Sequence, residues 1–122
     1  MQYTTLDSGE RKEYDSGMRR DLDENKARFD LVIPAGSKYD DNMLYRWAML
    51  MERGRRKYGE RNWELACGKE ELSRFRASAF RHFMQWYFDE TDEDHAAAVF
   101  FNINAAETVK AKLINEITAR ND

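Results

Sequence analysis

The sequence predicts an all-α fold: a helical bundle of three main helices with an extended N-terminal arm, completed into a full bundle by dimerisation. Two observations carry this prediction. The first is composition, because the 122 residues include one proline and six glycines, and strong helix formers are abundant after residue 40. The second is spacing, because apolar residues recur at helical intervals in three long segments of that part.

The start of the chain is polar and lacks helical periodicity. We therefore predict a flexible arm over residues 1–24, followed by a helical domain over residues 25–120. Within the arm, residues 7–9 and 15–17 both read Asp-Ser-Gly, a composition typical of turns.

A short apolar run after the arm ends at Pro34. Proline disfavours a helical residue before it, so an extended chain is predicted there. Lys26 and Arg28 lie ahead of this run, and we predict that they contact an anionic ligand. The alternative is that the segment only packs its apolar residues onto the helical body.

The first helix is predicted over residues 41–58, where apolar residues fall on one face. Asp40 or Asp41 is the expected N-cap, because a short side-chain oxygen accepts from the first free backbone N–H groups. Gly59 is expected to end the helix, since glycine tolerates the positive φ of a C-terminal cap.

The second helix is predicted over residues 69–89 and is apolar over more than half of its circumference. One stripe includes Phe75 and His82, and another includes Phe80 and Phe83. A helix of this kind is buried on two sides. The rest of one short chain cannot cover both sides, which predicts a partner subunit.

The third helix is predicted over residues 92–118, with Thr91 as N-cap and Asp94 as a weak imitation of a capping box. Several of its residues are small enough for close approach of another helix: Ala96, Ala97, Ala98, Ala105 and Ala106. A very short turn centred on residues 90–91 would make this helix antiparallel to the second one.

The predicted hairpin of the second and third helices carries both histidines of the chain. Antiparallel pairing places His82 level with residues 99–102, so His82 and Asn102 are expected to meet, with His95 nearer the turn. Polar groups on apolar faces need partners when buried. We interpret these three residues as catalytic groups in a polar pocket; the alternative is a structural hydrogen-bond network.

The turn of this hairpin is rich in carboxylates. Glu90, Asp92 and Asp94, with Glu52 from the first helix, are the predicted ligands of Mg²⁺ or Mn²⁺, because hard cations take carboxylate oxygens. The alternative is that these acids solvate the turn and complement the N-terminus of the third helix.

A second polar segment follows the first helix. It combines cations with aromatic rings, which suits a nucleotide, since cations bind phosphates and rings stack on bases. The alternative is that the rings only pin the loop to the core. The predicted substrate-binding residues here are Lys57, Tyr58, Arg61, Asn62 and Trp63.

Charge and cysteine content narrow the class of protein. The net charge of −3 gives no basic surface for duplex nucleic acid. The single cysteine, Cys67, cannot form an internal disulfide, which suits a reducing compartment. No apolar run approaches the roughly 18 residues of a membrane span, and the polar N-terminus is unlike a signal peptide. We expect a cytoplasmic protein without a membrane partner.

Three segments, in this order, resemble a known family. They are KxRFDLxxP from Lys26, GxxKYGxRNW from Gly54, and RHxxxW from Arg81, followed by the acidic turn with His95 and Asn102. This pattern resembles the phage-associated dATP/dGTP diphosphohydrolase N-terminal family, over about residues 17–113. The resemblance adds Arg81 to the substrate-binding residues and supports Lys57, Asn62, His82, His95 and Asn102 as site residues. It places the protein in the host cytoplasm.

That family is related to the MazG-like, all-α nucleoside triphosphate pyrophosphohydrolases, which are usually dimeric. The relationship implies hydrolysis with Mg²⁺ held by acidic ExxE and ExxD pairs. Here the corresponding positions are Arg76, Ala79, His95 and Ala98. Members of the closer family often carry a second histidine where this chain has Ala98.

The resemblance implies metal-dependent hydrolysis of a purine (deoxy)nucleoside triphosphate to a monophosphate and pyrophosphate. The missing acidic quartet leaves an alternative, a non-catalytic nucleotide-binding protein that sequesters or senses nucleotides on the same scaffold. A helical interaction module, in which the aromatic faces serve only oligomerisation, is the third possibility.

Overall fold

The computed structural model describes residues 2–7, 9–21 and 25–121, with the side chain of residue 121 excepted. It divides into two compact units, Met1–Val32 and Ile33–Asp122. Parts of the predicted arm, at residues 1, 8 and 22–24, lie outside the described residues. The predicted domain boundary between residues 24 and 25 stays a prediction.

The first unit contains a small antiparallel hairpin of strands β1 (Arg11–Glu13) and β2 (Arg19–Asp21). Its turn includes Gly17, with a φ of 89°, and the backbone N–H of Tyr14 donates to Met18 O over 2.8 Å. Residues 15–17 therefore lie in a turn, as their composition predicted. The strands were not predicted, because such short polar segments have no alternating apolar pattern.

The segment before Pro34 is a turn of 3₁₀ helix, Phe29–Val32, and the predicted extended conformation is wrong. The backbone N–H of Leu31 donates to Arg28 O over 3.1 Å. Proline restricts chiefly the one residue before it, so it leaves this turn free to form.

The second unit contains the three predicted helices, and the all-α prediction is confirmed. The first helix, α1, runs over Met43–Tyr58. Its N-cap is Asn42, whose Oδ1 accepts from the backbone N–H of Tyr45 over 2.9 Å. The prediction of Asp40 or Asp41 is wrong, because three consecutive residues can all cap a helix and the sequence does not choose among them.

Gly59 ends α1 as predicted. Its φ is 96° and its N–H donates to Arg55 O over 2.8 Å. The ψ of 160° turns the chain away from the helix axis, into a 3₁₀ turn at Asn62–Leu65.

The remaining helices are α2 (Lys69–Tyr87) and α3 (His95–Asn121). The connection between them, residues 88–94, is longer than the predicted turn. Thr91 is therefore not the N-cap of α3. Asp94 directly precedes the helix instead, and its Oδ1 accepts from the N–H of Ala97 over 3.1 Å.

The buried core of the second unit is built largely from small residues of α3, as their pattern predicted. The core residues of this helix are Ala97, Ala98, Ala105, Ala106 and Val109. Small side chains bring α2 and α3 close together, while Trp47 of α1 packs edge-on against Phe100, with ring centroids 6.0 Å apart. Among the described residues, no helix combines the length and apolarity needed to cross a bilayer.

Candidate functional site

A cleft of about 1180 Å³ lies between the second half of α1, the loop after it, and the α2–α3 hairpin. Most of the predicted site residues line it: Glu52, Lys57, Tyr58, Arg61, Asn62, Trp63, His82, Asp92, Asp94 and Asn102. The structure thus brings together residues that are separated by up to about half of the chain.

Five predicted site residues do not belong to the lining of the cleft. Arg81, His95 and Glu90 lie outside the lining of the cleft. Lys26 and Arg28 belong to the first unit, where the Arg28 guanidinium makes an exposed two-bond ion pair with Asp30, at 2.9 and 2.7 Å. Their predicted contact with an anionic ligand stays a prediction.

The two histidines contact each other in the seam between α2 and α3. The Nδ1 atoms of His82 and His95 are 2.9 Å apart, and both residues are buried. The other ring nitrogen of His95, Nε2, lies 2.7 Å from Asp92 Oδ1. Nε2 of His82 lies 3.3 Å from an Arg81 Nη atom. A hydrogen-bonded row of four side chains therefore crosses this end of the hairpin, in the order Arg81, His82, His95, Asp92.

Arg81 determines which atom donates in each of these hydrogen bonds. A guanidinium only donates, so Nε2 of His82 accepts from Arg81 and carries no hydrogen. The hydrogen of neutral His82 is then on Nδ1, which donates to Nδ1 of His95. His95 consequently carries its hydrogen on Nε2 and donates it to Asp92. Each imidazole is neutral and uses both of its nitrogens.

Electrostatics agree with these protonation states. Burial, and after it the charge of Arg81, lowers the pKa of His82 below its usual 6.5. The hydrogen bond from His95 lowers the pKa of Asp92, so this carboxyl stays ionised as an acceptor. His82 is therefore neutral at ordinary pH, as the hydrogen bond from Arg81 requires.

The expected meeting of His82 with Asn102 stays a prediction, and His82 hydrogen-bonds to His95. The reason is the connection of residues 88–94, which brings the first residue of α3 beside His82. Asn102 is buried as expected, lines the cleft, and donates from Nδ2 to Ala98 O over 2.8 Å. That bond fixes the orientation of its amide.

Two of the predicted metal ligands are paired with guanidinium groups. Asp94 accepts two hydrogen bonds from Arg46, at 2.9 and 2.7 Å, which lower its pKa. Glu52 accepts from Arg55 and Arg56, and the bond from Arg55 is the main cause that lowers its pKa to about 2. The Arg46–Asp94 pair also ties α1 to the start of α3, and nothing in the spacing of the sequence indicates it.

Glu93 was not predicted as a site residue. One carboxylate oxygen of Glu93 and one ring nitrogen each of His82 and His95 lie within 4.8 Å of one another. Among the described residues this is the group that could hold a metal ion. Glu93 is one of several neighbouring acids in the sequence, so only the conformation of the connection distinguishes it.

The opposite wall of the cleft carries the cations and rings that follow α1. Lys57 Nζ lies 5.1 Å from the ring centroid of Tyr58, which is 62% exposed. Trp63 packs edge-on against Phe101, with centroids 6.0 Å apart, so this ring does pin the loop to α3. Arg61 has the unusual φ of 58° for a residue that is not glycine.

Two side chains hold this loop in place. Lys112 Nζ donates to the backbone oxygens of Glu64 and Ala66. Glu71 Oε1 accepts from the backbone N–H groups of Cys67 and Gly68, at 2.9 and 3.0 Å, which satisfies free donors at the start of α2. The end of this loop that leads into α2 is therefore fixed.

The two walls differ in charge. The α1 side presents Arg53 and Lys57, together with Arg55 and Arg61, which are paired with Glu52 and Glu64, and its cations suit phosphate oxygens. The hairpin side presents an imidazole pair with Asp92 and Glu93, which suits a cation or a water molecule. A cleft with both walls can bind an anionic ligand together with a metal ion.

Comparison with known proteins identifies the family. No curated protein and no solved structure matches the chain. The family described as dATP/dGTP diphosphohydrolase, N-terminal, matches residues 7–117, which include the whole cleft. The chain belongs to the dATP/dGTP diphosphohydrolase N-terminal family.

Proposed function

We propose that this chain hydrolyses a purine deoxynucleoside triphosphate to the monophosphate and pyrophosphate, in a metal-dependent reaction within the cleft. The observation that carries the proposal is the pairing of a cationic, aromatic wall with a histidine–carboxylate wall across one cleft. Membership of a family described by dATP and dGTP supports the purine substrate.

The α1 side of the cleft would bind the nucleotide. Lys57 and Arg61 contribute charge for the triphosphate. The exposed Tyr58 offers a ring face to the base, and Trp63 forms the apolar floor beside it. Asn62 adds an amide that can donate and accept at the base or sugar.

The hairpin side would act on the attacking water. The water oxygen bonds to the α-phosphorus, the bond to the bridging oxygen breaks, and pyrophosphate leaves. A divalent ion, when bound, neutralises negative charge on the phosphates. His82 serves the water as its base once Arg81 has left its Nε2, or His82 and His95 serve as ligands of the ion, and Asn102 orients the water from α3.

A second function, nucleotide binding without turnover, is favoured by a separate observation. The acidic pairs of MazG-like enzymes are absent at Arg76, Ala79, His95 and Ala98. Two of the remaining acids, Glu52 and Asp94, are already engaged by arginines. A protein that only sequesters nucleotides would need the α1 wall and not the hairpin wall.

Turnover separates the two functions. The purified protein is incubated with each dNTP and NTP, with Mg²⁺ or Mn²⁺, and the products are resolved by chromatography. We expect metal-dependent formation of dAMP and dGMP. Asn102→Ala should lower kcat/KM by about 100-fold, because a misplaced water or phosphate costs that much. Asn104→Ala, on the same helix but outside the cleft, is the control and should keep activity.

Tight binding without products would support the sequestering function and contradict hydrolysis. Equal effects of the two asparagine substitutions would contradict the placement of the site.

A further inference from the structure

The histidine pair suggests more than a hydrogen-bond network. We propose that Nδ1 of His82, Nδ1 of His95 and the carboxylate of Glu93 bind one six-coordinate transition-metal ion. The inference deepens the proposed function, because it names the ion that hydrolysis would use and the residues that hold it. Metal binding is measurable without a nucleotide, so each of the two proposals can fail without the other.

The separation of the two nitrogens selects the coordination geometry. An ion about 2.1 Å from each nitrogen, the usual metal–imidazole distance, would make an angle of about 87° between them. That angle follows from the 2.9 Å between the Nδ1 atoms. It is close to the right angle between neighbouring ligands of an octahedral ion and well below the tetrahedral angle that structural Zn²⁺ prefers.

The surroundings of His95 already match a metal ligand. Its Nε2–H donates to Asp92 over 2.7 Å, which leaves the Nδ1 lone pair directed at His82. A carboxylate that holds the far nitrogen of a metal-binding histidine is a common outer-sphere arrangement. Asp92, predicted as a ligand, is thus assigned as a positioning residue.

His82 must change its tautomer before it can bind the ion. Its hydrogen must move from Nδ1 to Nε2, which frees Nδ1 for the ion and conserves the number of protons on the ring. Nε2–H would then face the Arg81 guanidinium, another donor, now 3.3 Å away. Arg81 must therefore leave His82, and it is already bonded to Gln85 over 3.0 Å. Arg81 thus bonds to His82 when no ion is bound, and it leaves His82 when the ion binds.

The ligand set defines the class of ion. Two imidazoles with one carboxylate suit Mn²⁺, Fe²⁺, Co²⁺ or Ni²⁺, whereas Mg²⁺ prefers oxygen ligands alone. Three protein ligands leave open positions on a six-coordinate ion. Because His82 and Glu93 both line the cleft, these positions are available to water and to phosphate oxygens.

Calorimetry and nitrogen NMR of the nucleotide-free protein test the proposal. We expect Mn²⁺ to bind at one site per chain, and at least about 10-fold more tightly than Mg²⁺. The chain has two histidines, so both rings are resolved in long-range ¹H–¹⁵N spectra. Addition of Cd²⁺, a diamagnetic ion that accepts six ligands, should switch His82 from the Nδ1–H to the Nε2–H form, while His95 stays Nε2–H.

Variants separate ligands from neighbours. Glu93 is exposed, so Glu93→Gln should leave the fold intact and weaken Mn²⁺ binding by about 100-fold or more. Asp92→Asn should weaken it by about 10- to 100-fold, as outer-sphere partners do. Asp89→Asn, in the same acidic connection and outside the lining of the cleft, is the matched control and should leave binding unchanged.

Absence of Mn²⁺ binding, an unchanged His82 tautomer with Cd²⁺, or equal losses in Glu93→Gln and Asp89→Asn would each overturn the site. Binding of Mn²⁺ at this site without any nucleotide hydrolysis would leave the metal site established and reject the enzymatic function.

Discussion

The two faces of the α2–α3 hairpin carry opposite chemistry. The face toward α1 holds three buried polar residues, His82, His95 and Asn102. The opposite face is apolar and open, with Phe80 68%, Phe83 44% and Ile103 51% exposed. In a monomer, apolar residues are expected on the buried face and polar residues on the exposed face.

This difference assigns separate roles to the two faces. Buried polar groups on the inner face have partners, and two of them, His82 and Asn102, line the cleft, where we propose that they serve a ligand. The outer face forms an apolar groove of about 320 Å³, with Arg76, Glu107 and Lys110 at its rim. We propose that a second copy covers it, because a two-fold pairing can set Arg76 of one copy against Glu107 of the other.

Loss of the outer interface is the largest expected effect. Phe83→Glu should convert a dimer to a monomer, since each copy loses about 1.5–3 kcal/mol of apolar burial and gains a charge in the interface. Light scattering at micromolar concentration measures the change. Ile117→Glu, also exposed but near the end of α3, is the control. A wild-type monomer would contradict the proposed role of the outer face.

The inner face depends on Asp94, which joins α1 to α3. Asp94→Ala removes the N-cap of α3 and the ion pair with Arg46, so we expect a loss of about 1–2 kcal/mol in the free energy of unfolding. Asp94→Asn keeps a capping oxygen and should lose less. Urea denaturation measures both, with Glu90→Ala as control. Equal losses in the two Asp94 variants would show that the capping oxygen contributes nothing, and an Asp94→Asn variant as stable as wild type would show that the ion pair contributes nothing.

A smaller, pH-dependent effect is expected at the start of α2. Backbone hydrogen bonds from Cys67 and Gly68 lower the pKa of Glu71 below 4.5. The ionised group therefore stabilises the fold above that pH, and the contribution disappears as pH falls through the lowered pKa. Glu71→Gln should be less stable than wild type at neutral pH and should approach it in acid.

Thermal unfolding at several pH values measures that difference, with Glu70→Gln as the control. A difference between wild type and Glu71→Gln that is independent of pH would contradict the role of the carboxylate.

Local features of the fold were predictable from sequence. The end of α1 was predictable because Gly59 is a glycine, which tolerates the positive φ of a C-terminal cap. The alanines of α3 mark the side that α2 approaches. The N-terminal caps of the helices were less predictable. Asn42 caps α1 and Asp94 caps α3, but each has neighbours of equal capping ability. Propensity alone does not rank such neighbours.

The partners within the site were not predictable. The meeting of His82 with His95 depends on the path of residues 88–94, which no periodicity encodes. Arg46 and Asp94 are 48 residues apart in sequence, and their pairing depends on the placement of α1. The sequence thus indicates which residues are polar on apolar faces, and the tertiary structure determines which of them meet.

Phosphorus NMR of the reaction products tests the central claim most directly. The protein is incubated with dGTP or dATP and Mn²⁺, and the ion is removed with a chelator before the spectrum is recorded. The account predicts equal amounts of pyrophosphate and of the nucleoside monophosphate. Orthophosphate with a diphosphate, or an unchanged triphosphate at every metal tested, would contradict it.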